Sequence, residues 1–202
     1  ESGAIMRYEW GKYSDYTTVC CPMITVADMA LFMRDIDKAK SDKYYDSAKR
    51  MAEYLYGRGL VFPTEGAVSD ETETEMEDGS ISCTALGLLY YCKNVERVEK
   101  YIRKAKEILD IHDCWVMQTP VAQMRGSTLR WWETLWEGDA DGPALCCGHS
   151  WSIWRAEADF LYYMLTGDED YLIRAKNGFN CNLAKIHDNG KSYSIYGFDE
   201  IT

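Results

Sequence analysis

One short pattern occurs three times in this chain. Tyr44, Ala48 and Lys49 spell Y-x-x-x-A-K, Tyr101, Ala105 and Lys106 spell it again, and Tyr171, Ala175 and Lys176 do so once more. Each copy follows an apolar stretch and a short polar break. A unit that cannot bury its own apolar face must stack on copies of itself, so this repetition limits the fold more than any other feature does.

The units read as helical hairpins. In the first, about residues 24–56, Val26, Met29, Ala30, Met33 and Ile36 recur at helical spacing. Ser41-Asp42 breaks that run and caps a second helix carrying Tyr44, Ala48, Met51, Ala52 and Leu55, which Gly57 and Gly59 end. In the second, about 80–109, Ile81, Ala85, Leu88, Leu89 and Cys92 form one stripe, Lys93-Asn94 the break, and Val98, Ile102, Ala105 and Leu109 the return. In the third, about 150–186, Trp151, Ile153, Trp154, Ala158, Phe160, Leu161, Tyr162 and Leu165 make a first helix apolar on several faces, as in a helix buried among neighbours. Thr166-Gly167-Asp168 turns the chain, and Leu172, Ala175, Phe179 and Leu183 line the return. Short breaks within a unit imply antiparallel neighbours. The long connections, about 57–79 and 111–149, both lead into the first helix of a unit. They therefore gather at one end of the stack, where a site built from loops on a rigid scaffold belongs. The expected fold is all-α: three stacked antiparallel hairpins in one domain, an (α/α) toroid or half-toroid.

Composition excludes several classes. At 202 residues and 47% hydrophobic the chain can build a core. Its 33 acidic against 22 basic residues lack the basic footprint of a nucleic-acid binder. No run approaches the roughly 20 apolar residues that span a bilayer, so no membrane partner is expected. Glu65, Asp70, Glu71, Glu73, Glu75, Glu77 and Asp78 form an acidic stretch, either a solvated loop or a rim attracting a cation or polar substrate. Of the eight cysteines, Cys83, Cys92 and Cys181 fall on helices among apolar residues and read as small hydrophobes, while Cys20-Cys21 and Cys146-Cys147 are adjacent pairs. With no signal peptide visible, this reads as a reducing, cytoplasmic setting.

An apolar inner helix, a tight turn, an outer helix bearing Y-x-x-x-A-K and then a long loop resembles the six-hairpin glycosidase superfamily. Residues 147–172 resemble it most: Gly148-His149-Ser150-Trp151 opens an inner helix and Leu165-Thr166-Gly167-Asp168 closes it. The resemblance implies an (α/α)6 toroid that cleaves sugars, unsaturated uronides and arabinofuranosides among them, in a funnel at the N-terminal ends of its inner helices. Three hairpins are half of that ring. The chain is then a fragment of a longer protein, a protomer that closes a ring with a second copy, or a smaller helical-repeat domain.

Five of the seven tryptophans, Trp131, Trp132, Trp136, Trp151 and Trp154, fall in one segment, interleaved with Glu133, Glu137, Asp139, Asp141, His149, Arg155 and Glu157. Indole faces stack on the C–H faces of sugar rings. Trp151 and Trp154 read equally well as core residues of the third inner helix. Glycoside hydrolysis needs two carboxyl groups across the scissile bond, one protonated and one ionised. Glu137 or Asp139 is expected as acid, Asp78 or Asp141 as partner base, and Trp136 and Trp151 as stacking platforms. Trp131, Trp132, Glu133 and Arg155 are expected to bind substrate. Asp78 also reads as an ordinary helix cap. His149, at the entrance of the third inner helix, is a substrate ligand or acid/base, or else a histidine bonded to loop backbone. His112 and His187 each sit in Ile-His-Asp and read as structural.

Cys146, Cys147 and His149 spell C-C-x-H, a set of zinc-compatible ligands. The arabinofuranosidase branch implied by the resemblance pairs such cysteines with Glu-x-Cys, but here Ile81-Ser82-Cys83 has isoleucine in the glutamate's place. No metal and no cofactor are therefore expected. The leading reading is a glycoside hydrolase with a carbohydrate as its partner. A non-catalytic repeat domain binding a glycan or protein is one alternative, and a sugar epimerase of the same toroid type, relying on histidine, is another.

Overall fold

The structure is a computed structural model and describes residues 16–57, 78–128 and 151–192. Those residues form six α-helices: α1 Tyr16–Met33, α2 Lys38–Gly57, α3 Asp78–Asn94, α4 Glu99–His112, α5 Ser152–Thr166 and α6 Glu169–Leu183. They pair as three antiparallel hairpins, α1–α2, α3–α4 and α5–α6. Helix α3 packs against α1 on one side and α5 on the other, so α1, α3 and α5 form an inner row. The outer helix of a hairpin also touches the next inner helix, α2 against α3 and α4 against α5. This is the all-α stack of hairpins that the threefold pattern implies.

Helix α3 is the centre of the core. Every residue from Ile81 to Leu89 is buried. At Gly87 a methyl group would lie 2.8 Å from Leu55 Cδ1 and 3.1 Å from Met23 Cε, so α1 and α2 close over α3 where it has no side chain. The buried alanines of the three motifs, Ala48, Ala105 and Ala175, bring each outer helix close to its hairpin partner.

The motif tyrosines tie hairpin to hairpin. The Tyr101 hydroxyl bonds the Glu53 carboxylate on α2, and Tyr171 donates to Asp110 on α4 at 2.8 Å. Both rings are buried, whereas Tyr44, with no hairpin before it among the described residues, is only half-buried. The accepting carboxylates lie one helical turn after the motif lysines: Lys106 bonds Asp110 at 2.5 Å, whereas Glu53, four residues after Lys49, is paired by Lys100 at 3.0 Å. The corresponding position of α6 is Asn180.

Several boundaries differ from expectation. Helix α1 begins at Tyr16 rather than near Ile24, and its buried stripe is Val19, Cys20, Met23, Ala27 and Ala30. Ile36 lies in the turn at 65% exposure, and Met29 is exposed. The first break falls at Arg34–Asp37, so Ser41 and Asp42 are inside α2. Asp37 is the capping residue, accepting from Lys40 N at 3.1 Å, while the buried Ser41 hydroxyl donates to the Ala30 carbonyl at 2.7 Å. Helix α5 is not enclosed on all sides: Phe160 and Met164 are exposed, as is Leu183 on α6. The Thr166–Asp168 turn is as read, with Gly167 left-handed at φ 76° and Asp168 capping α6. Cys20, Cys21, Cys83, Cys92, Cys114 and Cys181 form no disulfide. No described helix is long and apolar enough to cross a membrane.

After α4 a 3-10 turn, Asp113–Trp115, leads into a segment closed by an antiparallel bridge between Val116 and Thr128. Gly126 holds it against α6. Its φ is 83°, and a Cβ there would meet Gly178 N at 2.7 Å. Gly178 in turn lies against Ala156 of α5, where its own Cβ would meet the alanine methyl at 2.7 Å.

Candidate functional site

The N-terminal ends of α1, α3 and α5 lie at one end of the stack, since each is followed by an antiparallel outer helix. Trp131, Trp132, Glu133, Trp136, Glu137, Asp139, Asp141, Cys146, Cys147 and His149 lie outside the described residues. Asp78 is the first residue of α3, and Trp151 immediately precedes α5.

Among the described residues a stripe runs inward from this end. Trp151 and Trp154 stack, with ring centroids 5.4 Å apart and planes 27° from parallel. Glu157 follows at the same spacing of three, which keeps it near that helical face. Burial pushes the Glu157 carboxyl above its ordinary value. Its charge reaches Tyr90 of α3, whose hydroxyl donates to Asp28 of α1. Burial, the bond to Asp28 and the charges of Asp28 and Glu157 all raise the tyrosine's pKa. Tyr90 is the one residue from Ile81 to Cys92 that is not buried. Helices α1, α2, α4 and α5 cover the rest of α3, so Tyr90 marks its open inner strip. All three inner helices thus contribute polar groups to one surface: Asp28, Tyr90 and Glu157. Chemically, this surface offers an aromatic platform beside a carboxyl group biased toward its protonated form.

Arg155, grouped by sequence with the substrate-binding residues, instead forms a joint. It is 2% exposed and donates to both Asp159 oxygens, to the Leu109 carbonyl at 2.9 Å and to Asp113 at 2.7 Å. Asp113 also accepts from Arg174 at 2.5 Å. Burial drives the Asp159 carboxyl upward against the opposing pull of Arg155. This chain of charges fastens α5 and α6 to the end of α4.

The network is also the floor of a cavity of about 270 Å³ on the outer side of the stack, between the segment after α4 and helix α6. Elsewhere, His112 is buried at the end of α4 with its ring 6.1 Å from Trp115, as its structural reading implies. Lys185, just after α6, is 3% exposed and its amine has no hydrogen-bond acceptor among the described residues. Burial lowers its pKa. The end of α6 meets the start of α5 through Asn182 and Ser152, 3.1 Å apart, so Lys185 sits at the loop end of the stack. Among the described residues no group of three His, Cys, Asp or Glu side chains comes together to hold a metal ion.

Sequence reasoning named Glu157 among the residues interleaved with the tryptophans but gave it no role, although W-x-x-W-x-x-E was legible as an aromatic and acidic stripe on one helix. Asp28 and Tyr90 carry no such local signal, because their pairing depends on the packing of α1 on α3.

No protein-family model matches the chain. No curated protein matches it by sequence. Among solved structures the chain is similar to a polysaccharide lyase, with a TM-score of 0.69 at 17% identity. The match covers 94% of this chain and 26% of the lyase. The chain thus spans about a quarter of the length of the protein it resembles in fold.

Proposed function

We propose that the chain is a carbohydrate-acting helical module that binds a saccharide along the inner surface, from the loop end toward Tyr90. The observation that carries this reading is the stacked Trp151–Trp154 pair followed by a half-buried carboxyl of raised pKa. A sugar ring lies on the indole platform, and Glu157 donates a proton to the leaving oxygen. In hydrolysis the ionised partner is Asp78 or Asp141, with Glu137 and Asp139 as rival acids. Trp131, Trp132, Trp136 and Glu133 extend the binding surface, and His149 takes a substrate hydroxyl.

The likeness to a polysaccharide lyase favours a second reading, elimination. There a base removes the proton beside a uronate carboxylate, the glycosidic C–O bond breaks, and a carbon–carbon double bond remains. Lys185, an amine at the loop end without an acceptor among the described residues, supplies a cation for that carboxylate.

Turnover of a polysaccharide panel by this chain tests both readings. Elimination creates an unsaturated product that absorbs in the ultraviolet, whereas hydrolysis creates reducing ends without it. Glu157→Gln is expected to lower kcat by about 10²–10⁴-fold. In the parent, activity falls as pH rises past the raised Glu157 pKa, because the acid must be protonated. Full turnover in both Glu157→Gln and Trp151→Ala would sink the assignment.

A further inference from the structure

We propose that the cavity on the outer side of the stack is a second saccharide site, taking one neutral, hydroxyl-rich sugar unit. It is distinct from the inner surface. Residues from the first half of α6, Asp170, Ile173 and Arg174, form one wall, and they lie toward the end of the stack opposite Trp151. Tyr162–Tyr171 contact and the Asn182–Ser152 bond fix that antiparallel register.

The chemistry of the lining selects the ligand. Its floor is already satisfied: Arg155 is engaged by Asp159, Asp113 and Leu109 O, and Arg174 by Asp113. Arg125 is held by the Thr119 and Pro120 carbonyls. The buried Arg155–Asp159 pair gives a rigid base. The walls are open. Gln118, Asn177 and Asp170 line the cavity, and their side chains make no hydrogen bond among the described residues. Two amides that both donate and accept, one acceptor-only carboxylate and the remaining guanidinium N–H groups complement hydroxyls, each of which is itself donor and acceptor. Met117 and Ile173 offer apolar cover for the C–H side of a ring.

Charge excludes the obvious competitors. Three arginines, Arg125, Arg155 and Arg174, stand against three aspartates, Asp113, Asp159 and Asp170, so the lining is balanced. An anion at Arg155 would have to displace the carboxylates that hold it, and a cation would face the guanidinium groups. A volume of about 270 Å³ lies just below the roughly 300–1,000 Å³ of small-molecule sites, which suits a single ring rather than a chain. The proposal does not rest on the cleavage reading.

The test is a saturation-transfer NMR titration of the full chain. The probes are methyl glycosides of neutral hexoses and pentoses, methyl glycosides of hexuronic acids, and inorganic phosphate. Saturable binding of a neutral glycoside is expected, weakened about tenfold or more in Asp170→Leu and Asn177→Leu and unchanged in Trp151→Ala and Glu157→Gln. Circular dichroism checks that each variant is folded. If the α6 variants unfold, Gln118→Ala on the opposite wall carries the same expectation. Four results would overturn the proposal: no saturable binding of any neutral glycoside, tighter binding of uronates or phosphate that the wall variants weaken, equal binding of the neutral glycoside by the wall variants, or loss of its binding in Trp151→Ala. None of them touches the cleavage reading, which is measured as turnover at Trp151 and Glu157.

Discussion

Helices α3 and α5 occupy equivalent places in their hairpins but are held by different forces. Helix α3 buries an unbroken run from Ile81 to Leu89, with Leu88 and Leu89 at 0% exposure. Helix α5 buries Ser152, Arg155 and Asp159 beside its alanines and Tyr162. The central inner helix is fixed by non-directional apolar burial, the inner helix beside it also by directional charge pairs. The joint anchors α5 beside its core residues Ala158 and Tyr162, and the same helix presents Trp151, Trp154 and Glu157.

Removing one partner from the α5 joint is the severest way to break this contrast. Arg155→Ala leaves Asp159 buried without its cation and is expected to cost about 3–5 kcal/mol in urea denaturation. Replacing the pair together, Arg155→Met with Asp159→Leu, should recover much of that loss, since an apolar pair of similar volume avoids the desolvation penalty. If the double variant is as unstable as the single one, the joint works by shape rather than by charge. On α3, Leu88→Ala is expected to cost about 2–5 kcal/mol, with no second substitution that rescues it so simply.

A smaller effect is expected at the ties between outer helices. Tyr171→Phe deletes the bond to Asp110 and should cost about 1–2 kcal/mol by the same denaturation. These ties also predict a pH dependence. The Tyr101 hydroxyl holds Glu53 below its ordinary pKa, and the Tyr45 hydroxyl does the same for Glu96. At Asp110 burial works in the opposite direction, but the bonds from Lys106 and Tyr171 prevail and its pKa is also lowered. A folded-state pKa below the unfolded value means that the unfolded chain binds more protons between the two. The stabilisation is therefore complete above the usual carboxylate range of about 4 and is lost as pH falls through the lowered values. Thermal melts across pH 2–6 should show the decline, and it should be shallower in Tyr171→Phe.

Much of the fold was legible because it depends on periodicity. The stripe of Ile81, Ala85, Leu88, Leu89 and Cys92 is buried as spaced, and the turn at Gly167 needs the left-handed conformation glycine supplies. The first hairpin was less legible. Its break is the unremarkable Arg34–Asp37, while the polar Ser41 that seemed to end a helix is buried with its hydroxyl on Ala30 O. For the site, sequence put Trp151 and Trp154 together at the start of α5, where the two rings stack. It misjudged Arg155, because nothing local reveals that Leu109 O and Asp113 lie within reach of the guanidinium. The pairing of Tyr90 with Asp28 is likewise a property of the packed stack, not of either segment.

The tyrosine ties have a consequence for assembly. Tyr101 finds Glu53 and Tyr171 finds Asp110 through the same motif spacing, so the tie is interchangeable. If the third hairpin docked on the first, skipping the second, Tyr171 would meet Glu53 and make the same bond. Correct order must then be proofread by contacts that do not repeat. The grip of Arg155 on Leu109 O and Asp113 is such a contact, since the end of α2 offers Tyr56 where the end of α4 offers Asp113. The identical clasps supply adhesion between neighbours, and the unique arginine tells the chain which neighbour is the right one.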